Sequence, residues 1–404
     1  MKICFISSYP PNRARLSEYA QNLVKEIANR PSIRKVCVLA DKATDIGENS
    51  SGNSKIEVSR VWIADNPLSI LTLLWQISKL KPDIVHFNVH FQSYGKTRVA
   101  NFMGFLLIPL SRIFGFKTMV LLHNLGDKVD LKKVRLKPSL VNKVGILVAT
   151  KLILLASRIV VTVPSYAQYL KKRYGYTRVQ YIPHGTSANV RLPPNNNKEK
   201  VVLMFGHMGP SKGLFTMFQA FENLSKERGD VKLVIAGNSH PNFPGYLDEI
   251  KKVAPPTVDF LGYVPEEDIA KVFSTADVIV LPYSTATGTS GVFHLACGFG
   301  KPIVASSLPE IKELVSEGAS ALLVPPGDSK ALQTAISKIF SNRHLVAKMS
   351  EQNLMFARRE QWCAVAETYE KAYLDLLNLK SVDNTNSYVS VTVPSCEDFQ
   401  ANYE

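Results

Sequence analysis

Acidic residues are scarce in the first 190 positions, which hold 10 Asp and Glu against 28 Lys and Arg, a net of +18. The remaining positions hold 24 against 20, a net of −4, so the whole formal excess of +14 originates in the first half. A half so poor in carboxylates attracts phosphate-bearing partners: nucleic acid, anionic lipid headgroups or an anionic substrate. Cysteine is also sparse. Cys4, Cys37, Cys297, Cys363 and Cys396 are scattered, odd in number and form no Cys-x-x-Cys pair. No zinc site or disulfide framework follows, and a reducing compartment fits best. Long apolar runs are missing as well. Val99 to Ser111 is the nearest, but it contains Asn101 and Pro109 and falls short of the ~18 residues a spanning helix needs. Met1-Lys2-Ile3-Cys4-Phe5-Ile6 enters a strand-like run with no signal-peptide pattern. The expected location is cytoplasmic, with the membrane reachable only as a peripheral surface.

Present instead is the composition of an ordinary globular protein, 46% apolar and 20% charged, over 404 residues. That length exceeds what one core usually serves, so two domains are expected. Short β-rich runs alternate with helical stretches, the pattern of parallel sheets covered by helices. Strands are expected at Lys2–Ser7, Lys35–Leu39, Ile84–Asn88, Thr118–His123 and Arg158–Val163. Helices are expected at Leu16–Asn29, Leu68–Leu80, Val99–Ile113 and Leu140–Ala156. A polar stretch rich in Pro and Asn, Ser187 to Lys200, reads as a linker. A second series follows, with strands at Val201–Phe205, Lys232–Ala236, Val258–Leu261, Val278–Leu281, Ile303–Ala305 and Ala321–Val324. Helices between them start near Phe215, Glu266, Val292, Pro309 and Ser329. The expected fold is α/β, two Rossmann-like domains facing across a cleft. Their bounds are 1–190 and 191–360, with a helix over 361–380 returning to the first domain and a mobile tail over 381–404.

Two segments carry chemistry. Gly206-His207-Met208-Gly209-Pro210-Ser211-Lys212-Gly213 lies between a strand and a helix, where glycines admit a ligand and helical N–H groups face an anion. Its spacing is not that of a P-loop. Thr285-Ala286-Thr287-Gly288-Thr289-Ser290-Gly291 precedes the apolar stretch Val292-Phe293-His294-Leu295, and its N–H and hydroxyl groups can converge on a phosphate. Ligands of open parallel sheets bind at the carboxyl ends of the strands, where both segments fall.

These segments resemble the large retaining glycosyltransferase family of GT-B fold called family 4, or glycosyltransferase group 1. The likeness runs from Lys2 to about Leu379 and is strongest between Val202 and Asp328. Gly206 to Gly213 is similar to the family's Gly-Arg…Lys-Gly element, with His207 where arginine is usual and Lys212 at the lysine. Ala236-Gly237, Gly262-Tyr263-Val264, Gly300 to Ala305, Glu313-Leu314-Val315 and Pro325 to Asp328 follow in the family's order. The resemblance implies that Gly206, His207, Lys212, Gly237, Gly262, Tyr263, Val264, Thr287, Thr289, Ser290, Gly291, Val292 and Glu313 bind a nucleotide-sugar donor. It further implies that His123 and Lys212 are catalytic, and that the first half binds the acceptor through Arg13, Arg15 and Asp127. Two departures stand out. The family's paired glutamates would fall on Thr287 and Leu295, and Asn12-Arg13-Ala14-Arg15 replaces its first glycine-rich loop. A subset of the family is similar in replacing those glutamates with a Ser/Thr-Gly loop.

The implied reaction is hexosyl transfer with retention, to a sugar or lipid-linked, anionic acceptor at a membrane surface. It needs no cofactor and no metal, and no Asp-x-Asp lies near the two segments. Lys128, Lys132, Lys133, Arg135 and Lys137, interleaved with apolar residues, form a run suited to an anionic membrane. Nucleic acid is not an expected partner, because no signature of a binding module accompanies the charge. Other GT-B enzymes such as a sugar-nucleotide epimerase, or a catalytically silent nucleotide-sugar binder, are the alternatives, since fold does not fix chemistry.

Overall fold

The computed structural model describes residues 1–12, 16–42, 53–128, 139–187 and 199–378. Arg13, Arg15, the basic run beyond Lys128, most of the linker and the tail from 381 lie outside the described residues. The chain forms two compact units, one from the described residues up to 185 together with 362–378, the other from 186–361.

Unit 1 runs β1 (Lys2–Ser7), α1 (Ser17–Asn29), β2 (Lys35–Asp41), β3 (Ile56–Trp62), α2 (Ser69–Leu80), β4 (Ile84–Val89), α3 (Arg98–Ile113) and β5 (Lys117–Leu122). It continues with α4 (Leu140–Ile153), β6 (Arg158–Val161), α5 (Pro164–Tyr174) and β7 (Val179–Tyr181). The strands form one parallel sheet in the order β3-β2-β1-β4-β5-β6-β7. Both faces of its middle are covered, which is why β1 and β4 are buried without interruption from Ile3 to Ser7 and from Ile84 to Val89 rather than on alternate residues, His86 and Asn88 included. On α1, Tyr19, Ala20, Leu23, Val24, Ile27 and Ala28 repeat at helical spacing and are buried.

Unit 2 runs β8 (Lys200–Phe205), α6 (Leu214–Glu227), β9 (Val231–Ala236), α7 (Tyr246–Lys251), β10 (Val258–Gly262), α8 (Glu266–Thr275) and β11 (Val278–Leu281). Then follow α9 (Gly291–Gly298), β12 (Ile303–Ser306), α10 (Pro309–Ser316), β13 (Leu322–Val324), α11 (Ser329–Ser341) and α12 (Arg343–Arg359). Its sheet, also parallel, has the order β10-β9-β8-β11-β12-β13. In each unit the winding reverses beside the first strand, between β1 and β4 and between β8 and β11. Such reversals leave a crevice at the carboxyl ends of the strands.

The last helix, α13 (Trp362–Asn378), belongs to unit 1 and packs on α1. Its Glu370 pairs with Arg30 at 2.7 Å and accepts from the Ser32 N–H. Tyr369 and Tyr373 lie fully buried, and the Tyr373 hydroxyl is 2.6 Å from Nδ1 of His86 in the middle of β4. The helix expected over 361–380 starts at Trp362 as α13, parted from α12 at Glu360-Gln361 where the chain changes units.

Sequence patterning misses β3, α5, α7 and β7. β3 is an edge strand with only Trp62 buried, so it offers no apolar run. α5 is polar overall, with Lys171, Lys172 and Arg173 in its last turn and only Tyr166 and Leu170 buried. The helix α7 and strand β7 span 6 and 3 residues, too short for a period to register. No described helix is long and apolar enough to cross a membrane.

Candidate functional site

Unit 2 lines its crevice with backbone. Gly206, Gly237 and Gly262 end or follow the neighbouring strands β8, β9 and β10, with φ of +104°, +131° and +70°. The Gly206 N–H donates to the Ala236 carbonyl at 2.9 Å, and the Gly237 N–H to the Gly262 carbonyl at 2.6 Å. A Cβ on Gly237 would lie 1.9 Å from the Gly206 carbonyl oxygen, so no side chain fits between these strand ends. A cavity of about 370 Å³ opens here, lined among others by Gly237, Asn238, Ser239, His240, Phe260 and Gly262. The His207 ring stands 6.3 Å from that of His240. Tyr263 is exposed, whereas the Val264 side chain packs against an apolar cluster.

The loop after Gly206 then turns toward β11. Pro210–Lys212 forms a single 3-10 turn that ends at Gly213 with φ +70°, and a Cβ there would lie 1.8 Å from the Pro282 carbonyl oxygen. The Ser284 N–H donates to the Ser211 carbonyl at 2.9 Å, tying this loop to the one that follows β11. Lys212 places its ammonium 3.8 Å from the centre of the Tyr283 ring, a cation–π contact that fixes where the charge sits.

The loop after β11 runs into α9. Ser290 caps the helix by accepting from the Phe293 N–H at 3.3 Å. The N–H groups of Gly291 and Val292 therefore lead the first turn, where a helix has no internal partner for them and favours an anion. Val292 also borders Gly206, whose added Cβ would lie 3.1 Å from Val292 Cγ2. Thr287 is half-buried in the same loop. Glu313 is half-buried on α10, a turn further along than Glu310, which is buried in the first turn behind β12.

Beneath this loop lies a polar chain that sequence reasoning passes over. The Thr289 hydroxyl is 2.8 Å from Nε2 of His294, and Nδ1 of His294 is 3.1 Å from Oε2 of Glu360. His294 and Glu360 are 2% and 6% exposed, and burial drives the imidazole below its ordinary range and the carboxyl well above its own. Both neutral forms are thereby favoured. The only sequence trace was a histidine inside an otherwise apolar helix, 66 positions from its partner.

Unit 1 lines its crevice with side chains instead. His123 follows β5, and its Nε2 meets the Asn88 amide oxygen at 2.6 Å. The Asn88 amide nitrogen donates to the Ser7 hydroxyl at 2.9 Å, so one line of bonds crosses the ends of β5, β4 and β1. Tyr19 packs edge-on against the His123 ring at 4.6 Å. Ser7 and Asn88 also border a small cavity of about 60 Å³ with Trp62, His90 and Ser93. Asp127 is occupied locally: its Oδ2 accepts from Tyr169 at 3.2 Å and from Tyr174, both on α5. Among the described residues no group of His, Cys, Asp and Glu is arranged to hold a metal ion.

The twin three-layer units are those of the two-domain GT-B glycosyltransferases. Anabaena HepE solved in complex with UDP superposes with a TM-score of 0.70 at 16% identity, covering 93% of this chain and 100% of that one. Sucrose-phosphate synthase from Thermosynechococcus elongatus gives 0.73 at 19% identity, covering 93% and 99%. More particularly, residues 199–342 match the family model of the glycosyl transferases group 1, so unit 2 carries a domain of that family. The chain is 26% identical over 236 residues to the lipopolysaccharide 1,2-N-acetylglucosaminetransferase of Salmonella typhimurium, 52% of this chain and 61% of that protein. It is 29% identical over 178 residues to the phosphatidyl-myo-inositol mannosyltransferase of Mycobacterium leprae, 43% and 46%. The chain thus spans about half the length of the curated relatives it matches.

Proposed function

We propose that this protein is a retaining glycosyltransferase that moves a hexosyl group from a nucleoside diphosphate sugar to a lipid-linked or anionic acceptor at the cytoplasmic membrane surface. The observation that carries the donor half is the glycine-lined end of β8, β9 and β10, flanked by the Lys212 ammonium and the first turn of α9. Such a place takes a diphosphate by charge and backbone N–H groups, with the nucleoside in the adjoining cavity of about 370 Å³. The UDP bound to Anabaena HepE supports the same class of donor.

In this reading the sugar–oxygen bond breaks as negative charge gathers on the departing diphosphate. Lys212 and the Gly291 and Val292 N–H groups stabilise that charge, a form of electrostatic help that requires no metal. His123, whose ring is held by Asn88, is the unit 1 side chain that this reading assigns to the transferred sugar. Unit 1 accepts the second substrate, consistent with its excess of +18 over residues 1–190. The membrane component is supported by α4, on which Leu140, Val141, Val144, Leu147 and Val148 are exposed beside Lys143 and Lys151.

Release of nucleoside diphosphate from UDP-, GDP- and ADP-sugars, with proton NMR of the product's anomeric centre, tests the reaction. One donor class turned over with retention supports it, and inversion or no release with any acceptor counts against it. Thr287 and Leu295, standing where the family's glutamates would fall, favour a second reading as a silent nucleotide-sugar binder, which predicts binding without release. Flotation with vesicles containing anionic lipid tests the surface. Val144→Asp with Leu147→Asp should abolish flotation and leave nucleotide affinity unchanged.

A further inference from the structure

The helices α2, α3 and α4 cover one face of the unit 1 sheet, with α3 packed between the other two. Their inner sides feed one core through Ile70 and Ile77, Phe105 and Ile108, and Ile153. A helix so placed ordinarily turns polar residues outward. Here the outward sides are apolar as well. On α3, Val99, Phe102, Leu106, Pro109 and Ile113 follow in steps of three and four, the first two and the last exposed and the others half-buried. The same spacing at the head of α2 leaves Leu68, Leu71 and Trp75 exposed, Trp75 by 60%. On α4 it leaves Leu140, Val141, Val144, Leu147 and Val148 exposed. Adjacent stripes on adjacent helices make one apolar surface, which a folded monomer rarely leaves bare. The three helices hold no Asp or Glu. Their charges are Lys79, Arg98, Arg112, Lys143 and Lys151, all exposed, and the Lys79 ammonium lies 5.1 Å from the centre of the Trp75 ring.

We propose that this three-helix face lies flat on an anionic lipid leaflet, with Leu71, Trp75, Phe102 and Val144 at the depth of the acyl chains and the five cations at the headgroups. This rests on the membrane part of the reading above and extends it from one helix to a face that fixes how unit 1 sits. Amphipathic helices at a bilayer lie in its plane, with the apolar side buried ~5–10 Å deep. Lys and Arg beside such a stripe reach past it to the phosphate oxygens, and Trp favours the boundary itself. A second copy of the chain is a poor occupant. It would set these cations against one another, with no carboxylate on the face to answer them. Helices packed on a parallel sheet run along its strands, so the leaflet lies parallel to β1, β4 and β5. The carboxyl ends of those strands, with Ser7, Asn88 and His123, then open along the bilayer surface, at the level of a lipid-linked acceptor's headgroup.

Flotation of the full chain is measured with vesicles of phosphatidylcholine alone and with phosphatidylglycerol added. Binding should require phosphatidylglycerol. Leu71→Glu on α2, Phe102→Glu on α3 and Val144→Glu on α4 should each weaken it roughly tenfold or more, as expected for withholding one large apolar side chain and adding a repelled charge. All three positions are exposed, so melting temperature and nucleotide affinity should stay at wild-type values. Phospholipids brominated on the acyl chain read out depth. They should quench part of the tryptophan emission, and Trp75→Phe should remove that part, because Trp62 is buried in the core and Trp362 packs on Tyr19 at the other face of the sheet. Wild-type flotation in both Leu71→Glu and Phe102→Glu, or emission that brominated lipid leaves untouched, overturns the face while attachment through α4 stands. A lipid-free dimer in sedimentation that Phe102→Glu breaks assigns the face to a second copy and overturns it too. Equal flotation with both vesicles overturns the anionic leaflet as its occupant. A wild-type chain that floats with neither removes the membrane part of the proposed function along with it.

Discussion

At the reversal of its sheet, unit 1 presents interlocked side chains, Ser7, Asn88 and His123, whereas unit 2 presents the glycines Gly206, Gly237 and Gly262. The two sheets are wound in the same order, so the scaffold does not account for the contrast. What differs is the chemistry offered at the strand ends. Backbone N–H groups and a single ammonium suit a diphosphate, which every donor of one class shares. Side chains in a fixed line suit a group that must be told apart from its neighbours. The charge also divides between the halves, +18 over residues 1–190 and −4 beyond. On the proposed reading, unit 2 holds its donor by placement of few charges rather than by net charge.

The largest expected effect that would break this contrast comes from adding one carbon. Gly213→Ala forces a side chain to φ +70° and against the Pro282 carbonyl, with roughly 1–3 kcal/mol of strain before the clash is relieved. Thermal melting should fall and nucleotide binding should be lost. Gly175→Ala in unit 1, at φ +64° with nothing within 4 Å of the new carbon, should cost only about 1 kcal/mol and leave binding intact. Equal effects of the two on nucleotide affinity would deny unit 2 its backbone-lined site.

Next in size is Lys212→Ala. Turnover should fall by ~10²–10³ with little change in melting temperature, because the side chain is half-buried and its ammonium lies over the Tyr283 ring rather than in the core. Smaller still is Asn88→Ala in unit 1, which removes the fixed partner of His123. About tenfold of turnover should be lost with nucleotide affinity unchanged. A loss of nucleotide affinity in Asn88→Ala would mean that the units do not divide donor and acceptor as described.

The smallest effect is on stability against pH. Burial raises the Glu360 carboxyl above the ordinary range, so within that window the folded chain holds a proton the unfolded chain has released. Stability should therefore decline as pH rises from the ordinary carboxylate value through the raised one. His294, lowered by burial, works oppositely at the acid end, where the unfolded chain gains a proton that the folded chain refuses. Chemical denaturation of Glu360→Gln across pH should show the alkaline decline flattened, and an unchanged slope would contradict the neutral pair.

The turn that carries the glycines and Lys212 was legible in the sequence, because Gly206 to Gly213 falls between an apolar strand and a helix. The central strands announced themselves as apolar runs, since both faces of each sheet are covered. β3 did not, because an edge strand carrying Glu57 and Arg60 buries only Trp62. The partners of the site were least visible. Asn88 stands 35 positions before His123, and Glu360 lies 66 after His294; only the fold brings them within bonding distance. Asp127 shows the converse. The resemblance offers it to the acceptor, yet Tyr169 and Tyr174 on α5 occupy one of its oxygens.

The central claim, a diphosphate held at the glycine-lined end of unit 2, is tested most directly by titrating UDP, GDP and ADP into the wild-type chain and into Lys212→Ala. The account predicts that one base class binds and that its affinity collapses in Lys212→Ala, while Asn88→Ala binds as wild type. No binding by any of the three, or undiminished binding in Lys212→Ala, would contradict it.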